Sequence, residues 1–175
     1  MASRHALTPA RDAVLAWRQR CVATIVTLDT LNEAAPNHEG LLCAARLEFL
    51  ENALRFAPDD RPLLLFQHHP PFDTGLRYMD GIKLANPEAE WDVIARTRKP
   101  DYLFMGHLHR PIQARVGGTV ATTAPSTAHQ VELDLEKGNP LMFTMEPPAC
   151  QLHLWRPGAG LVSHTSYIGS YDGPY

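Results

Sequence analysis

Two short apolar runs, each followed by histidines, constrain the fold of this chain more than any other feature. The run PLLLFQ (62–67) stops at His68, and the run YLFM (102–105) stops one residue before His107. Continuous apolar runs of this length are typical of strands that are buried on both faces. The carboxyl ends of parallel strands meet at one edge of a sheet, where ligands collect. We therefore expect His68 to lie near His107 and His109.

The rest of the chain predicts an α/β fold with a β-rich C-terminal portion. Apolar residues at helical spacing predict helices at 41–56 and 88–98, one before each histidine-ended strand, so the two αβ modules extend to about residue 110. A helix is also predicted at 9–19, after Thr8 and Pro9, and a β-branched strand at 21–28. From about residue 111, alternating patterns predict strands at 112–116, 119–124, 130–135, 151–155 and 161–168. Residues 1–175 are expected to form one domain, a partial one by the resemblance described below.

Composition limits the classes of partner. The length of 175 residues suits one domain, and the net charge of -3 argues against a nucleic-acid surface. We expect no contact with a membrane, because no apolar run approaches the roughly 20 residues that a spanning helix needs. The three cysteines are far apart, which fits a reducing compartment, and the N-terminus lacks a signal-peptide pattern. We therefore expect a cytoplasmic location.

Three histidines from two strand ends match the ligand count of a catalytic zinc site, which uses three protein ligands and leaves one position open. His107 and His109 stand at i and i+2, and at a strand end such a pair points both rings the same way. His68 would be the third ligand. The alternative is that the histidines of this HxH motif fell in a surface loop by chance, since short motifs recur freely.

Longer motifs resemble a known family. The segments HHPPFDTG (68–75), GHLHR (106–110) and APSTAHQV (124–131) are similar, in this order and spacing, to those of the calcineurin-like metallophosphoesterases. The branch that they resemble most is that of the cyclic-nucleotide phosphodiesterases and glycerophosphodiesterases. The resemblance implies a four-layer αββα sandwich, of which this chain would supply the C-terminal half.

The resemblance also implies roles for single residues. His68 and His107 would bind one of two metal ions, and His109 would bind the other. His129 would reach the substrate phosphate, and His69 would lie beside the metals or on the substrate side as a catalytic residue. The family uses iron, manganese, zinc or cobalt, and a metal-bound hydroxide attacks the phosphorus of a small phosphodiester substrate. Arg77, in the long loop after the first histidine pair, is a candidate contact for an anionic substrate or simply a solvated charge.

The chain departs from the family pattern in one important respect. The DxH, GDxxD and GNHD or GNHE motifs, which precede the LDT segment in the family, are absent. The aspartate that bridges the two ions is missing with them, and two divalent cations close together repel strongly without it. Residues 37–39 (NHE) follow the LDT segment and lack the glycine, so we interpret them as a loop. We expect this chain to hold at most one ion by itself.

Two functions remain open at this point. The first is a metal-dependent phosphodiesterase, incomplete in this chain. The second is a non-catalytic remnant or binding module that holds one metal ion or none. In either case, half of a sandwich would leave an apolar sheet face or edge exposed, so we expect self-association or a homo-oligomer.

Overall fold

The computed structural model describes residues 23–136 and 140–173. Its main sheet has five strands in the order β1-β2-β3-β5-β4, of which β4 alone runs antiparallel to its neighbour. Their bounds are β1 Thr24–Thr27, β2 Leu63–Gln67, β3 Tyr102–Met105, β4 Gln113–Val116 and β5 Thr119–Thr123. The predicted α/β class and the two adjacent histidine-ended strands are thus confirmed. The predicted helix at 9–19 lies outside the described residues.

Helices follow the prediction closely. Helix α1 spans Ala44–Arg55 and helix α3 spans Pro87–Arg96, each within about three residues of the expected bounds. A short helix α2, Arg77–Asp80, lies in the loop after the first histidine pair and was not predicted. No helix in the part of the chain that the structure describes is long and apolar enough to cross a membrane.

The core lies between the sheet and helices α1 and α3. Alternate residues of the strands, such as Leu63 and Leu65 of β2 and Leu103 of β3, are fully buried in one cluster with Leu50 of α1 and Ile94 of α3. Burial of apolar area stabilises this layer by roughly 25 cal/mol per Å². The sheet is therefore covered by helices on this face, as the continuous apolar runs predict.

The opposite face of the sheet carries aromatic rings and is partly covered by a hairpin. Phe66 and Phe104 stack at 4.8 Å between ring centroids, and the ring of His153 lies 4.4 Å from Phe104. The hairpin consists of β8 (Ala149–Arg156) and β9 (Gly160–Tyr167). It agrees with the two strands predicted at 151–155 and 161–168.

The segment between the sheet and the hairpin differs from the prediction. The strand expected at 130–135 is only two residues long, β6 Gln130–Val131, and it pairs with an unpredicted strand β7, Phe143–Thr144. Residues beyond Val131 leave the ladder because Leu133 and Leu135 find no covering layer and are 61% and 64% exposed. The described residues form one large and two small sheets, and the four-layer sandwich stays a prediction.

The core assignment predicts a large asymmetry between two positions of the main sheet. Leu103→Ala removes a fully buried side chain and should lower the free energy of unfolding by about 2–5 kcal/mol. Val120→Thr, on the neighbouring strand and 38% exposed, should change it by about 1 kcal/mol or less. Urea unfolding followed by circular dichroism measures both values, and equal losses would contradict the assignment of Leu103 to the core.

Candidate metal centre

The parallel pairing of β2 with β3 brings the histidines together. Gln67 and Met105 are partners in the register, so both strands end at the same level and the next residues of each chain segment are neighbours. Nδ1 of His107 lies 3.3 Å from Nε2 of His68. One ring nitrogen from each of His68, His69 and His107 lies within 4.8 Å of the other two. This His68–His69–His107 group is called the histidine cluster below.

The loop that presents His107 has an unusual backbone. His107 and His109 have φ of 66° and 49°, a left-handed conformation that residues other than glycine rarely adopt and that costs free energy. Between them Leu108 is fully buried against Met79 and Val131, which holds the loop in place. The prediction that an i, i+2 pair points both rings one way assumed an extended backbone, whereas the strand ends at Met105 and both histidines lie beyond it in the left-handed region.

His109 also has a ring neighbour outside the histidine cluster. Its ring lies 5.0 Å from that of His129, and His129 in turn contacts the ring of Phe143 on β7 at 4.6 Å. The buried Nδ1 of His109 makes no hydrogen bond within the described residues. The structure thus brings His109 and His129 together beside the histidine cluster, and leaves their roles in binding metal and substrate as predictions. Arg77 is exposed at the start of α2.

Both ring nitrogens of His69 are already used. The ring lies 2.8 Å by Nδ1 from the Thr30 hydroxyl and 3.1 Å by Nε2 from the backbone carbonyl of His38. Since a carbonyl only accepts, Nε2 carries the proton and Nδ1 accepts from Thr30. Gly40 makes this packing possible, because a Cβ there would lie 2.5 Å from the ring. His69 is therefore poorly suited to bind a metal and well suited to hold the cluster in position.

Loss of water contact keeps these imidazoles neutral. Desolvation, helped by the nearby His69 and His68, lowers the pKa of His107 to about 4, although the backbone carbonyl of Ile82 acts in the opposite direction. Desolvation and His68 likewise lower the pKa of His69 to about 4. Desolvation, then His109, lowers the pKa of His68. At neutral pH His68 and His107 keep the lone pairs that a metal ion requires, whereas the lone pair of His69 accepts from Thr30.

The arrangement fits one metal ion. Two imidazole nitrogens bound to one tetrahedral zinc ion stand about 3.4 Å apart, close to the 3.3 Å between His68 and His107. Nδ1 of His107 is directed toward the place that the ion would occupy between the two rings. The other ring nitrogen, Nε2, is buried and makes no hydrogen bond in the described ranges. No carboxylate joins the cluster among residues 23–136 and 140–173. The histidine ligands carry no charge, so the complex with one divalent ion would have a net charge of +2.

Several residues that support the histidine cluster are not predicted from the sequence. The interpretation of 37–39 as a loop is consistent with the structure, yet it is the backbone carbonyl of His38 that holds His69. Thr30, Gly40 and the buried Gln67 had no signal in the sequence, because their roles depend on contacts across the fold.

Several known proteins are similar to this chain. A probable cyclic nucleotide phosphodiesterase of Rhodopseudomonas palustris is 63% identical over 152 residues, which are 87% of this chain and 55% of that protein. A probable glycerophosphodiester phosphodiesterase of Arcobacter nitrofigilis is 42% identical, over 78% of this chain and 50% of that protein. The 3',5'-cyclic adenosine monophosphate phosphodiesterase of Escherichia coli K12 is 33% identical over 61% of this chain and 38% of its own length.

The match in length is incomplete. The chain spans about half the length of the first two relatives. Among solved structures, GAP50, the anchor in the inner membrane complex of Plasmodium, has a TM-score of 0.55 with 12% identity, over 86% of this chain and 50% of that chain. This likeness shows the fold alone. No protein-family model matches the sequence.

The lowered pKa values predict how the rings respond to acid. The folded-state pKa of His69 and His107 is about 4, below the unfolded value of about 6.5. The folded state therefore binds fewer protons between these values, and it loses stability as the pH falls from about 6.5 toward 4. In the metal-free protein, NMR titration of the ring nitrogens should give midpoints near 4, with His107→Asn assigning one of the two signals. Midpoints above 6 would contradict the burial of these rings.

Proposed function

Because the chain belongs to the calcineurin-like family of cyclic nucleotide and glycerophosphodiester phosphodiesterases, we propose that it carries out metal-dependent hydrolysis of a small phosphodiester. The family resemblance inferred from the sequence is thus confirmed. The observation that carries the proposal is the pair of neutral imidazoles, His68 and His107, placed 3.3 Å apart at adjacent strand ends.

In the proposed site, His68 Nε2 and His107 Nδ1 hold one divalent ion of iron, manganese, zinc or cobalt. When bound, such an ion polarises a phosphoryl oxygen and lowers the pKa of water, which supplies the nucleophile. His69 acts through its position, because its hydrogen bonds to Thr30 and His38 fix the strand end from which His68 projects.

The second pair of histidines lies on the substrate side in this proposal. His109 keeps a buried nitrogen without a partner in the described part of the chain, and His129 lies beside it. We assign His129 to the substrate phosphate, and His109 to a second ion wherever a carboxylate is supplied between the two ions. An imidazole N–H donates a hydrogen bond to a phosphate oxygen well, and an imidazole nitrogen without a partner can bind a metal ion. Arg77, an exposed cation at the start of α2, is assigned to an anionic substrate.

The charge of the site limits how many divalent ions the chain can hold by itself. The histidine cluster contributes no negative charge, since no carboxylate belongs to it within the residues described. Two divalent ions a few ångströms apart repel strongly in a site of low dielectric unless a carboxylate lies between them. We therefore propose that the chain by itself holds one tightly bound ion and that turnover is slow.

This proposal predicts the outcome of a metal-binding and hydrolysis experiment. With zinc, manganese or cobalt added, the chain should bind one ion and slowly hydrolyse bis(p-nitrophenyl) phosphate. His107→Ala should lower both affinity and rate by at least about tenfold, because one of two ligands is lost. His164→Ala, an exposed histidine on β9, is the matched control and should change neither.

A second function, a non-catalytic metal-binding module, is favoured by the absence of a carboxylate from the cluster. It predicts the same binding of one ion, lost in the His107 variant, without hydrolysis under any metal. Binding without turnover would thus reject the enzyme and support the module, whereas an unchanged affinity in the His107 variant would reject both.

Self-association is proposed for the outer face of the hairpin. The register pairs Leu154 with Val162 on the side facing away from the main sheet, and these side chains are 40% and 46% exposed. Leu152, two residues away on the same side, is 63% exposed. A contiguous apolar surface of this kind is typical of an interaction site.

Light scattering at increasing protein concentration tests this surface. The mass should rise above that of a monomer, and Leu152→Lys should lower it toward 19.5 kDa because a charge then enters the apolar face. Ala45→Lys adds the same charge at an exposed position of α1 and should leave the association unchanged. A monomer at every concentration would count against the proposed interface.

A further inference from the structure

A buried polar pair lies directly behind the histidine cluster. Gln67 is the last residue of β2 and is 7% exposed, and Glu90 on α3 is fully buried. The Gln67 Nε2 donates to Glu90 Oε2 at 3.1 Å and to the backbone carbonyl of His69 at 2.9 Å. One amide group therefore joins helix α3 to the residue after His68.

One oxygen of each side chain in this pair lacks a hydrogen-bond partner among the described residues. Glu90 Oε1 and Gln67 Oε1 are both buried and accept no hydrogen bond from the described residues. A buried acceptor left unpaired destabilises the folded state, and a buried carboxylate without a cation destabilises it more. An ionised Glu90 would incur both penalties.

A proton on Glu90 removes both difficulties at once. Oε1–H would then be a donor on the group that already accepts from Gln67, and Gln67 Oε1 is the unpaired acceptor on the facing amide. A carboxylic acid and a primary amide form two parallel hydrogen bonds in this way. Burial raises the pKa of Glu90 to about 7, against the lowering effect of the Gln67 hydrogen bond, which agrees with a mostly protonated group below neutral pH.

We propose that Glu90 is a positioning residue of the metal site: its protonated carboxyl pairs with the Gln67 amide through two hydrogen bonds, and Gln67 in turn fixes the His69 carbonyl and the direction of His68. This inference rests on the metal-binding function proposed above for His68 and His107. The His69 ring is held by Thr30 and His38, its main-chain N–H donates to the Thr30 hydroxyl, and its main-chain carbonyl accepts from Gln67. Both supports are needed to hold His68 at a set distance from His107.

Paired variants separate positioning from simple stabilisation. Glu90→Gln keeps the size and the two-point pairing, since a second amide can both accept from and donate to Gln67, and it removes the charge altogether. Glu90→Leu keeps a similar volume and removes both hydrogen bonds. A residue that only stabilised the core would change the free energy of unfolding in the leucine variant without changing the histidine rings of the folded protein.

The experiment measures zinc affinity by competition with a chromophoric chelator at pH 6, together with ring ¹H–¹⁵N spectra of the metal-free protein. We expect the glutamine variant to bind zinc within about threefold of the parent chain. The leucine variant should bind at least about tenfold more weakly, as is usual when a residue supporting a ligand is lost, with the His68 and His69 ring signals shifted. If the leucine variant does not fold, Gln67→Met, which removes the linking amide from the other side, takes its place.

The possible results are distinguishable. A folded leucine variant with parent affinity and unshifted ring signals would overturn the positioning role, and a glutamine variant as weak as the leucine variant would overturn the protonated pair. A parent chain that binds no zinc would reject the proposed function instead, and the ring signals of the metal-free variants would still decide whether Glu90 positions His68.

Discussion

The parallel pairing of β2 with β3 is the interaction on which the site depends. Its register sets Gln67 level with Met105, so that two segments about 38 residues apart in sequence deliver their histidines to one place. The same pairing is secured by leucines that face α1 and α3. A slip of one residue along either strand would turn the core side chains to the other face and separate His68 from His107.

Rigid surroundings let the loop after β3 keep a costly conformation. His107 and His109 both occupy the left-handed region, while Leu108 between them is fully buried beside Met79 and Val131. The burial of one leucine side chain contributes about 1.5–3 kcal/mol, comparable with the strain of two such residues. As a result, the ring of His107 lies beside that of His68, and the ring of His109 lies beside that of His129.

Local sequence predicted the elements well where one face or both faces are fixed by burial. The sequence predicts both bounds of strand β3 correctly, because its apolar run is flanked by Asp101 and Gly106. The strand at 130–135 was predicted too long because its alternation lacks a covering layer beyond Val131. The position of the His109 ring beside His129 depends on a left-handed backbone at His107 and His109. The sequence does not indicate this conformation, because histidines rarely adopt it. The supports of the cluster, namely the His38 carbonyl and Glu90, come from distant segments and leave no local pattern.

The proposed chemistry of the site depends on a metal ion held between Nε2 of His68 and Nδ1 of His107. Crystals soaked in zinc and measured on both sides of the zinc absorption edge test it most directly. We expect one strong anomalous peak within about 2.1 Å of both nitrogens, with His69 still hydrogen-bonded to Thr30 and His38. A peak on His69, or no peak between His68 and His107 at saturating zinc, would contradict it.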